Sequence, residues 1–347
     1  MKIETLRVED EALWDAFVEA HPAASIYHLS GWRQLVAEVF GHRSYYLLGR
    51  DEHGAVLGVL PLIRIQSRLF GDYMVSLPYF TYGGPLGVNE AAETELLHAA
   101  GELARGLGVG HVEFRGFAPR EPAWPIRTDK VTLHRPLAAD EDGLWKSLSR
   151  ERRRQLKKAQ DGKCEVLVGG AELLDDFYPV FARNMRDLGT PVYDRRFFAA
   201  MLARFPQATR IVSVRRQGVA AGAAFLIGFR ERLEVPWVST LREMNAHFVN
   251  TRLYWELLRF AVASGYRVFD FGRSSVDSGT YGFKRQWGAE PVQLYWQYWL
   301  AKGRPLPGLT PSSPKFRLAV RAWQHQPHGL PNAHGPRNVK NLPSRGA

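Results

Sequence analysis

The segment from Phe269 to Gly288 carries an unusual density of side chains that can do chemistry. Its charged residues are two acids, two arginines and one lysine: Asp270, Asp277, Arg273, Arg285 and Lys284. Hydroxyl groups and glycines are interspersed among them. Ordering so many long polar side chains costs conformational entropy, and loops rich in polar groups on a rigid scaffold commonly carry function. We therefore predict that this segment forms the floor of an active site, entered by a strand that breaks at Gly272.

The elements that position this segment occur twice in the chain. Gly54–Ile63 parallels Gly218–Ile227, and each follows a short apolar run and a polar turn. This pattern predicts a β-hairpin whose second strand is buried on both faces.

A second repeat joins a helix to a strand. Ala104–Phe114 resembles Ala261–Phe271, and in both an acid–Phe pair closes the strand. Gly108 and Gly265 suit the left-handed position that ends a helix. Long-range self-similarity of this kind indicates duplicated units, although chance likeness between Gly/Ala/Val-rich strands is the alternative.

We therefore predict an α/β protein made by tandem duplication. The first domain spans residues 1–140 and the second spans 141–300, with residues 270–288 as its active-site loop. Residues 301–347 form a basic tail rich in Pro and Gly. A basic amphipathic stretch at 315–323 suggests either packing against the domains or docking on an anionic membrane surface.

Charge and composition restrict the class of protein. The net charge is +11, and a basic cluster runs from Arg150 to Lys158. Arg153 and Lys157 share one helix face there, which is either a solvated face or a phosphate contact. The single cysteine, Cys164, excludes an internal disulfide, and the sequence shows no metal-ligand spacing, signal peptide or membrane span. We expect a cytoplasmic protein, or one peripheral to the inner membrane.

The stretch from Thr280 to Gly288 resembles the Fem-type transferases of peptidoglycan-bridge synthesis. Their second domain ends in Tyr-x-Phe-Lys-x-x-Phe-Gly, and the matching residues here are Tyr281, Phe283, Lys284, Trp287 in place of the second Phe, and Gly288. The fuller segment is most similar to a Fem-like branch associated with exosortase and exopolysaccharide gene clusters. Ser149–Lys158 also resembles the helix that opens the second Fem domain.

The resemblance implies two GNAT-like acyltransferase domains with a cleft between them. It also implies transfer of an acyl or aminoacyl group to an amine of a cell-envelope or exopolysaccharide precursor. Acyl-CoA or aminoacyl-tRNA would be the co-substrate, without a permanently bound cofactor and without a role for DNA. The alternative hypothesis is a non-catalytic duplicated module that binds tRNA or a precursor carrier.

The resemblance also suggests catalytic roles. Lys284 would stabilise the tetrahedral oxyanion or hold the leaving ribose or phosphate. Asp270 would act as general base for the amine, with Asp277 as the more exposed alternative. Because Asp270 lies between two phenylalanines, a purely structural pairing with Arg273 is equally open. Glu113 occupies the matching place in the first half, which supports the structural interpretation.

Further residues are candidates for binding. Substrate contacts are expected from Arg273, Tyr281, Trp287, Tyr82, Gly83 and Gly84, and donor-phosphate contacts from Arg153, Lys157, Asn250 and Arg252. For the aromatic residues core packing is the alternative, and for 82–84 a strand-end turn. Two departures from the families accompany these candidates. Where Fem proteins have an Arg-Gly-Pro signature, the matching strand here reads Tyr82-Gly-Gly-Pro-Leu-Gly87, and 247–252 lacks the Gly-rich phosphate cradle of GNAT enzymes.

Overall fold

The computed structural model describes residues 1–67, 71–159, 164–190 and 192–307. The helical stretch expected at 315–323 lies outside these residues. The strands are β1 (Lys2–Thr5), β2 (Arg43–Ser44), β3 (Leu47–Arg50), β4 (Val56–Leu60), β5 (Ile63–Ser67), β6 (Gly71–Val75), β7 (Leu86–Gly87), β8 (His111–Gly116), β9 (Ile126–Arg127), β10 (Lys130–Pro136), β11 (Cys164–Gly169), β12 (Thr209–Arg216), β13 (Val219–Phe229), β14 (Arg232–Thr240), β15 (Val268–Ser275), β16 (Glu290–Gln293) and β17 (Tyr295–Leu300). The α-helices are α1 (Glu11–Ala20), α2 (Gly31–Phe40), α3 (Glu90–Gly106), α4 (Glu141–Ser147), α5 (Arg150–Ala159), α6 (Leu174–Asp187), α7 (Arg195–Arg204), α8 (Val249–Ala263) and α9 (Gly279–Arg285).

The chain divides into two compact units. The first contains Met1–Lys130 and the segment that begins at Gln293, and the second contains Val131–Val292. These limits differ from the predicted 1–140 and 141–300 because strand pairing, and not linker composition, decides the division. β10 lies between β15 and β16, whereas β17 pairs with β8 and β9.

The first unit contains two sheets among its described residues. One has the order β1-β3-β4-β7 and the other β2-β5-β6-β8-β17-β9. Helix α3 packs on them through an apolar face that includes Leu96, Leu97 and Ala100. The side chain of Asn89 caps this helix by accepting a hydrogen bond of 2.9 Å from the backbone N–H of Ala92.

The second unit is built on one sheet of order β11-β12-β13-β14-β15-β10-β16. The interior strand β13 is buried from Ala221 to Gly228, as its apolar sequence predicts. Helix α8 packs against β12, β13 and β14 through residues such as Leu253 and Leu257. Helices α6 and α7 join the same sheet through an aromatic cluster that includes Phe177 and Phe198.

Both predicted repeats are present in the structure. β3 and β4 form one antiparallel hairpin, and β12 and β13 form the other. Helix α3 leads into β8 as α8 leads into β15. Gly108 and Gly265 have φ values of +67° and +78°, the left-handed conformation expected at a helix end.

The candidate active-site segment differs from the prediction in one respect. The strand does not end at Gly272 but continues as β15 to Ser275. Gly272 instead has φ of +72°, a conformation that glycine adopts without strain. A turn then leads into α9, which Ser278 caps through its side chain.

Candidate active site

The parallel ladder between β14 and β15 is short. It pairs Arg232 with Val268 and ends at Glu234 with Asp270, although β14 continues to Thr240 and β15 continues past Gly272. The backbone groups of the two strands beyond this last pair are not joined in that ladder. Backbone N–H and C=O groups at such a place can hydrogen-bond an extended ligand. Asp270 and Lys284 both bind Gly272, two residues beyond this last pair.

Asp270 lies at the centre of this polar group and is fully buried. Its carboxylate accepts hydrogen bonds from Thr132 Oγ1 at 2.6 Å, from the Gly272 N–H at 2.8 Å and from His134 Nε2 at 3.1 Å. Burial alone raises the pKa of Asp270, but the hydrogen bond and charge of His134, with those of Thr132 and Gly272, bring the pKa below its ordinary value. Asp270 is therefore a buried carboxylate that these three donors keep ionised.

Lys284 is also buried, and its ammonium group is held against the backbone of β15. Nζ donates to the carbonyl oxygens of Gly272 and Arg273, each at 3.0 Å. Burial lowers the pKa of Lys284 to about 8, and Arg273 lowers this pKa further, while Asp270 and Glu234 oppose the shift. Gly272 thus binds Asp270 through its N–H and Lys284 through its C=O.

The remaining polar residues of the segment occupy different environments. Arg273 and Ser274 are buried on β15. The Ser274 Oγ makes no hydrogen bond among the described residues. Tyr281 is half-buried on α9 and packs against the core of the second unit. Asp277 is exposed in the turn, with φ of +62°.

Trp287 lies in the core of the second unit, with 1% of its surface exposed. Tyr254 stacks on it at 5.9 Å between ring centroids, and the Arg152 guanidinium lies 4.6 Å from the ring centroid. This placement corresponds to the core-packing alternative that the sequence left open.

The candidate donor-phosphate residues lie on α5 and α8. Arg153 is half-buried and Lys157 is exposed. Asn250 lies half-buried in the first turn of α8. Arg252 forms an ion pair of 2.9 Å with Glu256 one turn along the same helix. This ion pair already uses part of the charge that the prediction assigned to phosphate.

Residues 82–84 belong to the first unit. Tyr82 is buried, with Tyr27 at 5.4 Å between ring centroids. Gly83 has φ of +150°, and a Cβ at Gly84 would lie 2.7 Å from the carbonyl oxygen of Arg115. The positive φ of Gly83 and the close backbone approach at Gly84 therefore account for the two glycines.

His134 and Thr132 are site residues that the sequence reasoning missed. Both lie on β10, two residues apart, so their side chains leave the same face of the strand. The side chain of His134 keeps 17% of its surface exposed while Asp270 has none exposed. In the sequence, polar Thr132 and His134 alternate with apolar Val131 and Leu133, and this pattern could have identified the two polar residues as neighbours on one face of a strand.

The comparisons with known proteins agree with this architecture. Residues 146–285 match the family model of the acetyltransferase (GNAT) domain. The structure of FemX resembles this one with a TM-score of 0.66 and 14% identity, covering 85% of this chain and 97% of that chain. A tandem GNAT protein from the clavulanic acid biosynthesis pathway gives a TM-score of 0.54 and 14% identity over 88% of this chain and 99% of that chain.

A third similar structure is L-PGS from Bacillus licheniformis. Its TM-score is 0.55 at 13% identity, covering 93% of this chain and 99% of that chain. No curated protein matches the chain in sequence. The tandem GNAT-like α/β fold predicted from the sequence is therefore confirmed.

Two further observations concern the described residues alone. They contain no group of three or more His, Cys, Asp or Glu residues that could hold a metal ion. None of their helices is both long enough and apolar enough to cross a membrane.

Proposed function

We propose that the chain is an N-acyltransferase that moves an acyl or aminoacyl group to an amine. The observation that carries this proposal lies within the segment that matches the GNAT domain. There Asp270 and Lys284 bind the N–H and the C=O of Gly272, where the β14–β15 ladder ends. A buried carboxylate and a buried amine of lowered pKa at one point are typical of a catalytic centre.

His134 is proposed as the general base, with Asp270 as the residue that positions it. Its hydrogen bond to Asp270 fixes the orientation of the ring, and imidazole is the side chain that most often transfers protons in catalysis. The amine nitrogen attacks the acyl carbon, passes its proton to His134, and the proton then goes to the departing thiolate or ribose oxygen. Asp277 remains the alternative base.

Lys284 is proposed to stabilise the oxyanion of the tetrahedral intermediate. An ammonium group has three donors, and two of them are directed at the carbonyls of Gly272 and Arg273. The third donor is the one available to a ligand. Since two hydrogen bonds fix the nitrogen in advance, little reorganisation is needed when charge develops on the substrate.

The donor and acceptor follow from the family likeness. The proposed donor is acyl-CoA or aminoacyl-tRNA, and the proposed acceptor is a cell-envelope or exopolysaccharide precursor. Folds shared with FemX, L-PGS and a tandem GNAT protein support these classes. We further propose that Arg153, Lys157, Asn250 and Arg252 bind donor phosphates. Within the second unit, Arg273 and Tyr281 are proposed to shape the substrate site. The tail at 301–347 is proposed to contact the inner membrane.

A donor panel tests the proposal. Purified protein is incubated with labelled acetyl-CoA, longer acyl-CoAs or aminoacyl-tRNAs, together with an amine-containing envelope extract, and label transfer is measured. We expect transfer from one donor class, and loss of transfer in Lys284→Met and His134→Gln. Lys2→Met, which changes an exposed lysine of the first unit, serves as the matched control.

The same panel distinguishes the alternative function. Protein that binds tRNA with a steep salt dependence, yet transfers no label from any donor, would support a non-catalytic binding module and contradict the transferase.

A further inference from the structure

The two oxygens of the Asp270 carboxylate have different partners. Oδ1 accepts hydrogen bonds from Thr132 Oγ1 at 2.6 Å and from the Gly272 N–H at 2.8 Å, whereas Oδ2 lies 3.1 Å from His134 Nε2. An ionised carboxylate only accepts hydrogen bonds, so the Thr132 hydroxyl is the donor to it. One end of the carboxylate is therefore fixed by two neutral donors, and the other end is directed at the imidazole ring.

The strand that carries Thr132 holds its hydroxyl in place. Thr132 lies on β10 and is fully buried, and β10 lies beside β15 in the sheet. His134 follows two residues later on the same strand, so both side chains approach Asp270 from one face of β10. Threonine is branched at Cβ, which restricts its χ1 angle and with it the direction of the hydroxyl.

The matching acid of the first unit is held in a different way. Glu113 accepts hydrogen bonds from Arg115 Nε and from Tyr298 Oη, each at 2.7 Å. The guanidinium brings a full positive charge, so this ion pair offsets the charge of Glu113 where it lies. Thr132 is neutral, and it therefore orients Asp270 without cancelling its charge. That charge then acts on the neighbouring imidazole ring.

We propose that Thr132 is a positioning residue of the transfer centre. Its hydroxyl holds Oδ1 of Asp270, which directs Oδ2 at His134 and keeps the imidazole ring oriented. The role of Thr132 rests on the proposed function, because His134 acts there as the general base. Groups that are oriented before the reaction lower the barrier to the chemical step, so the loss of this hydroxyl affects the rate of transfer more than the binding of the donor.

Charged groups on three neighbouring elements face Asp270. His134 lies on β10, and Lys284 on α9 has its pKa raised by the charge of Asp270. Glu234 on β14 is paired with Asp270 in the strand register. Substitution of Thr132 leaves these charged groups in place, so a change in pH dependence is assigned to the lost hydroxyl.

Thr132→Val removes the hydroxyl and keeps a branched side chain of similar size. Steady-state transfer is measured with the labelled acyl-CoAs and aminoacyl-tRNAs of the donor panel. We expect kcat to fall about tenfold while KM for the donor stays within about twofold, because a hydrogen bond to a charged group is lost. Thr132→Ser restores the hydroxyl and should stay within about threefold of the wild-type rate.

The pH profile is a readout that a change in packing alone would not move. Thr132 is one of the donors that lower the pKa of Asp270, so its removal raises this pKa. As the pH falls, Asp270 is then protonated earlier. The acid limb of kcat/KM should therefore move to higher pH by about one unit in Thr132→Val, and Thr132→Ser should keep the wild-type limb.

Thr209→Val is the matched control. Thr209 is a buried threonine on β12 of the same sheet, and its hydroxyl donates to the carbonyl oxygen of Phe205 at 2.8 Å. This variant should be less stable than wild type, with the rate and the pH profile of transfer unchanged. Circular dichroism establishes that each variant is folded. If Thr132→Val does not fold, Thr132→Ala removes the same hydroxyl with a smaller side chain.

A folded variant without the Thr132 hydroxyl that keeps the wild-type rate and acid limb would overturn the proposal. An equal fall in Thr209→Val, or a Thr132→Ser variant as slow as Thr132→Val, would overturn it too. Wild type that transfers label while Thr132→Val is unchanged would retain the proposed function and lose only the role of Thr132. Wild type that transfers from no donor of the panel would lose both.

Discussion

Replacing Lys284 by methionine should change how the stability of the protein depends on pH. Burial places the pKa of Lys284 at about 8 in the folded protein, against 10.5 as its ordinary value. Between these two values the unfolded chain holds a proton on this side chain that the folded chain lacks. Deprotonation therefore favours the folded state, and the free energy of unfolding rises with pH in this window.

The size of this effect follows from the difference between the two pKa values. A tenfold change in a proton-binding constant corresponds to about 1.4 kcal/mol, so the full contribution of Lys284 is about 3 kcal/mol. It is fully present above the unfolded pKa of 10.5 and is lost as the pH falls through about 8. Over the accessible range from about pH 7 to about pH 10, wild type should gain about 2.5 kcal/mol relative to Lys284→Met.

Urea unfolding of both proteins at several pH values measures this difference. Titrations of all other groups are common to both proteins, so they cancel in the comparison. If the free energies of unfolding of the two proteins differ by a constant amount, to within about 0.5 kcal/mol, at every pH, then Lys284 is not buried against the carbonyls of Gly272 and Arg273 with a lowered pKa.

Four further substitutions, one of them a control, test the site and the fold. Asp270→Asn should lower the free energy of unfolding by about 3 kcal/mol and strongly reduce transfer. The control Glu113→Gln changes the matching acid of the first unit, and it should destabilise the protein without reducing transfer. An equal loss of transfer in both variants would contradict the placement of the active site at Asp270. Gly272→Ala should lower the free energy of unfolding by about 1–2 kcal/mol, because the φ of this residue is +72°. A melting temperature equal to that of wild type would contradict the expected backbone strain. Gly101→Ala should cost about 1–3 kcal/mol, since its Cβ would lie 2.8 Å from the Trp299 indole, and transfer should be unaffected.

The duplicated α/β architecture could be predicted because it rests on local patterns. Gly108 and Gly265 end two helices for the same backbone reason, and the sequence shows both with the strands that follow. The hairpin of β12 and β13 likewise follows from a run of apolar residues between polar turns.

The partners of the buried charges could not be predicted in the same way. Asp270 receives its hydrogen bonds from Thr132 and His134, which lie far away in sequence on β10. Only the order of strands in the sheet brings them together, and that order depends on long-range pairing. The boundary between the two units differs from the predicted one for the same reason, because β10 and β17 each pair with strands distant in sequence.

The continuation of β15 past Gly272 shows how a local rule can mislead. Glycine is a frequent strand breaker, so the sequence predicted an end at this position. In the structure its positive φ lets the N–H donate to Asp270 while the carbonyl accepts from Lys284, and the strand continues to Ser275. The glycine accommodates the site without ending the strand.

The central claim is that the second unit holds an acyl-transfer centre composed of His134, Asp270 and Lys284. Its most direct test is single-turnover transfer by wild type, His134→Gln and Lys284→Met, with the affinity for donor measured beside the rate. We expect each variant to remain folded and to bind donor normally but to transfer at least about 100-fold more slowly. Wild-type rates in both folded variants would contradict it.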